Sequence, residues 1–470
     1  MPIIPDVVGI TSNQRLRTLA AERVPGASLR FFRVVFAAVV AISALRLLIL
    51  DWTSTLYSNP TIHFAYSGLG WVPVLPSTLM RIQVAAIAIA AVAVAFGFMY
   101  RYSIALVWFL FSWMEFTEAT VYLNHYWFIS VMSFLMIFLP LDSRGTVPRG
   151  TLWMVRFQVG VVYIFAGLAK INTDWLLQGL PMALWLPGRT DLPIVGPMLN
   201  HQSVAIALAW GGAIFDCAVV WFLLWRRTRL WAWLCVVAFH IATFILFPPI
   251  GVFPFLMVAA SLVFFEPDWP IELAGRVTGW LAGRQVMPDA FARRLESAGQ
   301  ARMAKPDESD RPARAARPIG RLTFAAAILW VSIQILLPLR QYLIPGDARW
   351  TGEGFRFGWN VLAVERAGDV TFRVTDTTTG RTRSVPVDTM LTTQQRRVVP
   401  VEPELIRQAA HHLADVEAER LGIDRDQVAV RADAFVSVNG RRARRLIDPK
   451  VDLAAEPAGY WHQSWILPGP

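Results

Sequence analysis

From Phe31 to Phe265 the chain runs through eight apolar stretches of helix length, and a ninth follows at about 321–338. The runs lie near 31–50, 81–99, 103–121, 126–140, 152–169, 203–225, 230–247 and 251–265. Stretches of about twenty residues with few charges are long enough to cross a bilayer as helices, and little else satisfies a backbone there. The chain is 55% hydrophobic and 17% charged, outside the usual balance of a soluble domain. The expected fold is therefore a polytopic α-helical membrane bundle of about eight or nine spans.

The net charge of +10 does not call for nucleic acid. Its arginines cluster in short turns at Arg101, 144–149 and 226–229, and in a charged stretch at about 267–319. Counting spans from a cytoplasmic N-terminus puts all of these on one side, as the positive-inside rule requires. The same count puts the loops 51–80, 122–125, 170–202 and 248–250 outside, together with everything after 340. Residues 1–30 read as a cytoplasmic lead-in with a short amphipathic element, and no secretory leader is read there. The 51–80 loop, with Tyr57, Pro60, Phe64, Tyr66, Trp71, Pro73 and Pro76, reads as ordered. The expected division is 1–30 lead-in, 31–266 membrane domain, 267–319 linker (partly disordered), 320–340 last span and 341–470 outer domain.

Residues 341–470 change character. Val370–Thr375 and Ala434–Gly440 alternate as strands do, Asp376–Gly380 reads as a turn, and about 403–421 reads as a helix. A small mixed α/β, mainly β, extracytoplasmic domain is expected, either a sandwich or a sheet with one helix packed on it. Cys217 and Cys235 both fall in predicted spans, so the outer domain has no disulfide, and no metal site is expected.

Lysine is scarce. Of 44 Lys+Arg, only Lys170, Lys305 and Lys450 are lysine. Arginine stays protonated in proteins, whereas a desolvated lysine can act as a base. Lys170 ends an apolar run, Val161–Ala169, and is followed by Asp174 and Trp175. It reads either as a functional amine or as a side chain snorkelling to the headgroups. Glu115 and Glu118, one turn apart, read as facing the same way, for a proton relay or for an interhelical hydrogen bond. The sequence offers Asp216 either Lys170 or His240 as partner. His125 beside Asn124 suits a group that donates, accepts or carries charge. His411 and His412 read as solvated. No P-loop, dinucleotide fingerprint, zinc spacing or nucleophile elbow appears.

Ala166-Gly167-Leu168-Ala169-Lys170-Ile171-Asn172-Thr173-Asp174-Trp175 resembles the active-site segment of vitamin K-dependent gamma-glutamyl carboxylases. So do Leu123-Asn124-His125-Tyr126, Phe239-His240 and Glu266-Pro267-Asp268-Trp269-Pro270. In the outer domain, Trp350-Thr351-Gly352, Gly358-Trp359-Asn360, Val436–Gly440 and Asp448–Asp452 extend the resemblance. The membrane part alone resembles the broader horizontally transferred transmembrane superfamily.

The resemblance implies an integral membrane enzyme in which oxidation of vitamin K hydroquinone by O2 to the epoxide drives γ-carboxylation of peptide glutamate by CO2. It implies Lys170 as the base for the hydroquinone and His125 in the carboxylation half. It implies Asn124, Tyr163 and His240 as cofactor-binding residues, and Trp350 and Trp359 as substrate-binding residues. The cofactor is a phylloquinone or menaquinone hydroquinone, and the partner a secreted glutamate-containing peptide. Two alternatives stand beside it: a membrane quinol oxidase or epoxidase that does not carboxylate, and a non-enzymatic membrane receptor. Ala169 stands where the animal enzymes carry a second lysine, and Gly354-Phe355-Arg356-Phe357 departs from the animal segment associated with glutamate binding.

Overall fold

The computed structural model describes residues 12–247, 250–283 and 318–469. Helices stand at each of the nine expected positions: α2 (Ala27–Ile49), α3 (Ser77–Phe96), α4 (Tyr100–Thr117), α5 (Asn124–Phe138), α6 (Arg149–Ala169), then, after a short α7 (Thr173–Gln178), α8 (Gln202–Leu224), α9 (Arg229–Leu246), α10 (Phe253–Ser261) and, following α11 (Trp269–Gly283), α12 (Arg321–Leu339). Short α1 (Ser12–Ala21) precedes them. By length and apolar composition, six described helices are able to cross a membrane: α2, α3, α6, α8, α9 and α12 extended to Tyr342. α5 and α10 are apolar but shorter. This is a multi-pass membrane protein.

Punctuation between the helices is local. α3 ends at Gly97, whose φ of +74° suits glycine and lets the Arg33 guanidinium lie against it. Strands β1 (Arg23–Pro25) and β2 (Thr146–Pro148) pair antiparallel and tie the lead-in to the turn before α6. α6 and α8 meet through glycines: a Cβ on Gly160 would stand 3.2 Å from Val220, and one on Gly167 only 2.6 Å from Cys217 Sγ. Small residues let membrane helices approach this closely. α12 carries Leu322, Leu329 and Leu336 exposed on its outer face. It is tied to α6 by polar bonds, Gln158 Nε2 to Gln334 Oε1 at 3.1 Å and Trp330 Nε1 to Gln158 Oε1 at 3.0 Å.

The C-terminal region holds one antiparallel sheet, ordered β4-β3-β5-β6, of β3 (Arg366–Asp376), β4 (Thr382–Pro386), β5 (Val428–Val438) and β6 (Arg444–Arg445). Among the described residues no second sheet faces it. One helix, α13 (Pro403–Leu421), covers it instead. Val370, Phe372 and Val374 of β3 alternate inward, beside Val430, Ala432 and Ala434 of β5, onto Leu405, Ile406, Ala409 and Leu413. The same core takes in Ile62, Phe64 and Tyr66, so the 51–80 loop is ordered by burial against this region. Gln408 clamps Ala65 from both sides, accepting at 2.9 Å and donating at 3.0 Å.

Three expectations change. Residues 269–283 form α11, which rests on α2 with Phe31 and Trp269 edge to face, where a partly disordered linker was expected. The rest of that linker, 284–317, lies outside the described residues, as do 1–11 and Pro248-Pro249. Glu115 and Glu118 do not share a helix face. α4 stops at Thr117, and Glu118 turns to an extended φ of −142° to accept from the Thr120 amide and hydroxyl. Glu115 accepts instead from Ser130 of α5. His411 is not free in solvent: its ring nitrogens meet Arg407 and Arg425, each at 2.9 Å.

Candidate active site

Lys170 is the C-cap residue immediately after α6, and its side chain is 5% exposed. Its Nζ donates to Asp216 Oδ2 at 2.8 Å, to Ala166 O at 3.1 Å and to Val361 O at 3.1 Å. Three acceptors for three N–H groups is the arrangement of an ammonium, so the neutral amine expected from an apolar setting has an anionic partner instead. Asp216 comes from α8, and Gly167 is what lets it arrive. A Cβ there would stand 2.8 Å from the Cys217 amide nitrogen. The choice left open for Asp216 thus falls to Lys170. His240 of α9 pairs with Tyr163, whose hydroxyl lies 3.0 Å from Nε2.

Tyr163, Ala166 and Lys170 share one face of α6 and line a cavity of about 260 Å³, mostly apolar, with Asp216 and His240. Phe215 and Phe239 stack at 4.0 Å beside Tyr163 and His240. Val361 and Leu362 bring the C-terminal region into the wall. His240 Nδ1 is buried there with no hydrogen-bond partner among the described residues. These residues fit an aromatic hydroquinone: mostly apolar walls with two polar pairs, Lys170–Asp216 and Tyr163–His240, among them.

His125 and Asn124 stand at the start of α5, beyond Phe253. The Phe253 ring lies 6.2 Å from that of His125 and 6.3 Å from that of His240, and it lines the cavity. Asn124 accepts from Tyr122 at 3.1 Å and donates to Asn360 O at 3.4 Å. Lys170, Tyr163 and His240 therefore line one cavity, with His125 against the Phe253 ring and Asn124 held by Tyr122 and Asn360. Trp359 is fully buried against Trp127 and Phe128. Trp350 is buried too, donating to Leu467 O at 2.7 Å. Both pack in cores rather than face this cavity.

Sequence reading missed the fastening beneath Lys170. Asp174 accepts from Asn439 at 2.8 Å and from both terminal nitrogens of Arg441, with Arg349 at 3.7 Å. Asn172 caps α7 by accepting from Trp175 N at 3.0 Å and takes Arg349 at 2.7 Å as well. Burial pushes the Asp174 carboxyl up, but the Arg441 and Asn439 hydrogen bonds and the charges of Arg441 and Arg349 outweigh it and hold it below its ordinary value. An acid two residues after a helix-capping Asn was the one available signal. Nothing in the sequence named its arginines.

The family model described as HTTM domain matches residues 22–269. That described as vitamin K-dependent gamma-carboxylase, lumenal domain, matches residues 319–470. No solved structure matches the chain.

Proposed function

The chain belongs to the vitamin K-dependent gamma-glutamyl carboxylase family, and we propose that it carboxylates peptide glutamate at the γ-carbon, coupled to epoxidation of a vitamin K hydroquinone by O2. The observation that carries this reading is the buried Lys170–Asp216 pair opening on an apolar cavity whose wall includes Val361 of the C-terminal region. Phe239 and Phe253 offer apolar faces to a quinol ring, and Tyr163–His240 offers polar atoms to its hydroxyls. When bound, the hydroquinone supplies the reducing power for O2 and, with it, the strong base for the γ-proton.

The chain's own residues have a narrower task. Lys170 Nζ is ready to accept a proton once it has passed one to Asp216 Oδ2, 2.8 Å away. Apolar walls keep water from quenching what forms there. His125, whose ring lies 6.2 Å from the cavity-lining Phe253, is assigned to the carboxylation half, where an imidazole donates or accepts at neutral pH. We assign the N-terminus to the cytoplasm and residues 341–470 to the outside, as the arginine turns favour. Quinol then arrives from lipid and the peptide from water.

The test uses purified protein in nanodiscs with vitamin K hydroquinone, O2, labelled bicarbonate and a glutamate peptide. Epoxide and peptide-bound label should rise together. Epoxide without label would move the assignment to a quinol epoxidase.

A further inference from the structure

α11 turns an apolar face away from the bundle. Leu273, Val277 and Trp280 are 51%, 47% and 56% exposed, and their spacing of four and three residues puts them on one side of the helix. Ile271 and Thr278, on the opposite side, are half-buried. The start of α11 is fixed to the start of α2: Trp269 meets Phe31 edge to face, and the Ser28 amide donates to Pro267 O at 2.9 Å. At 15 residues, with Glu272 and Arg276 along it, α11 is too short and too charged to cross a bilayer. It leaves the bundle at a membrane surface.

That surface is basic. Glu266, three residues before Trp269, takes Arg226 at 3.2 Å and Arg229 at 3.1 Å, which sets the 226–229 turn beside the start of α11. Glu272 takes Arg276 at 3.7 Å and Glu22 takes Arg149 at 2.8 Å. Asp142 and Asp268 are the other acids at this end among the described residues. Against them Arg15, Arg23, Arg101, Arg144 and Arg227 are exposed, with no ion-pair partner among the described residues. The surplus here is positive.

We propose that α11 lies flat in the membrane surface at this end and binds anionic phospholipid. Leu273, Val277 and Trp280 enter the boundary between headgroups and acyl chains, as the apolar face of an interfacial helix does. Arg227 and Arg276 stand at the level of the phosphates, which a guanidinium grips with two parallel hydrogen bonds. Lipid is the occupant because the helix is continuous with a bundle already in the bilayer, and because the charge beside its apolar face is positive. In water the same three side chains would forfeit their burial. The Lys170 cavity takes no part in this surface.

The experiment is hydrogen–deuterium exchange on the full chain, read on peptides covering 269–283. The protein is placed in nanodiscs of phosphatidylcholine alone, or of phosphatidylcholine mixed equally with phosphatidylglycerol. Exchange should be about tenfold slower in the mixed discs, the size expected of two arginines at an anionic surface. Arg227→Gln/Arg276→Gln should remove that difference. Leu273→Gln/Val277→Gln should speed exchange in both discs. Equal exchange of the unaltered protein in the two discs overturns the proposal, as does a difference that survives the arginine changes. Equal slowing by inorganic phosphate in phosphatidylcholine discs overturns it too, since it marks a plain anion site. Exchange that stays slow after Leu273→Gln/Val277→Gln would place another part of the chain, not lipid, over this face.

Discussion

Lys170 Nζ donates a hydrogen bond to the main-chain oxygen of Val361 at 3.1 Å, across 191 positions of sequence. The C-terminal region is thus part of the hydrogen-bond shell of the Lys170 amine, and its docking helps set where that amine points. Val361 sits in a segment with three non-glycine residues at positive φ: Phe357 at +62°, Trp359 at +57° and Leu362 at +53°. Such conformations persist only where surrounding packing overrules them. Here the packing is Trp359 buried against α5.

Lys170→Ala should lower epoxide formation by about 10²–10⁴, the usual worth of a positioned base. An added small amine should restore part of it. Full activity without amine would remove Lys170 from the base role.

Asp216→Asn removes the one anionic partner of Lys170 and leaves it only neutral acceptors. Breaking such a pair costs about 3–5 kcal/mol, and replacing both members by apolar groups costs less. Thermal unfolding in detergent should therefore rank Lys170→Met/Asp216→Leu above Asp216→Asn. The reverse order would mean the pair is not electrostatically coupled.

Gly167→Ala adds one methyl group against Cys217, 2.6 Å from Sγ and 2.8 Å from the amide nitrogen. α8 has to move away, at about 1–3 kcal/mol, and Asp216 moves with it. Lower stability and lower epoxide formation should appear together, whereas Leu168→Ala, half exposed on the same turn, should spare the epoxide rate.

Asp174 sets an acid limit. Its folded carboxyl lies below its unfolded value of about 3.9, so its contribution is fully present above that value and drains away as pH falls through the folded one. Asp174→Asn should lower Tm at pH 7, and the gap to the unaltered protein should close below about pH 4. A gap that stays constant down to pH 3 would place the fastening elsewhere.

His125→Ala should reduce peptide labelling more than epoxide formation, because Phe253 separates it from the Lys170 cavity. Equal loss of both products would mean that His125 only supports the packing of α5.

The helices were legible because uncharged runs of their length have few other uses, and α13 because Pro403 and Gly422 bracket it. Lys170 stood out by the rarity of lysine. Partner choice was not legible: which helix face meets which depends on packing at Gly160 and Gly167, and these glycines look like any others in the sequence. α11 was hidden by its arginine- and alanine-rich surroundings. Glu118 failed the periodicity argument because its side chain found backbone donors nearer than the next helical turn. The resemblance named candidate site residues that no spacing rule points to, and of these Trp350 and Trp359 are buried in the structure.

The Ala65–Gln408 clamp spans 343 positions, which imposes an order on biogenesis. The 51–80 loop is made long before the sheet and helix that cover it. At about 5–20 residues per second, Phe64 and Tyr66 wait roughly 17–70 s for their partners. During that interval Ile62, Phe64 and Tyr66 have no core to enter. A chain stalled or cut before residue 400 would therefore display a sticky loop, a mark by which quality control can tell an unfinished copy from a finished one.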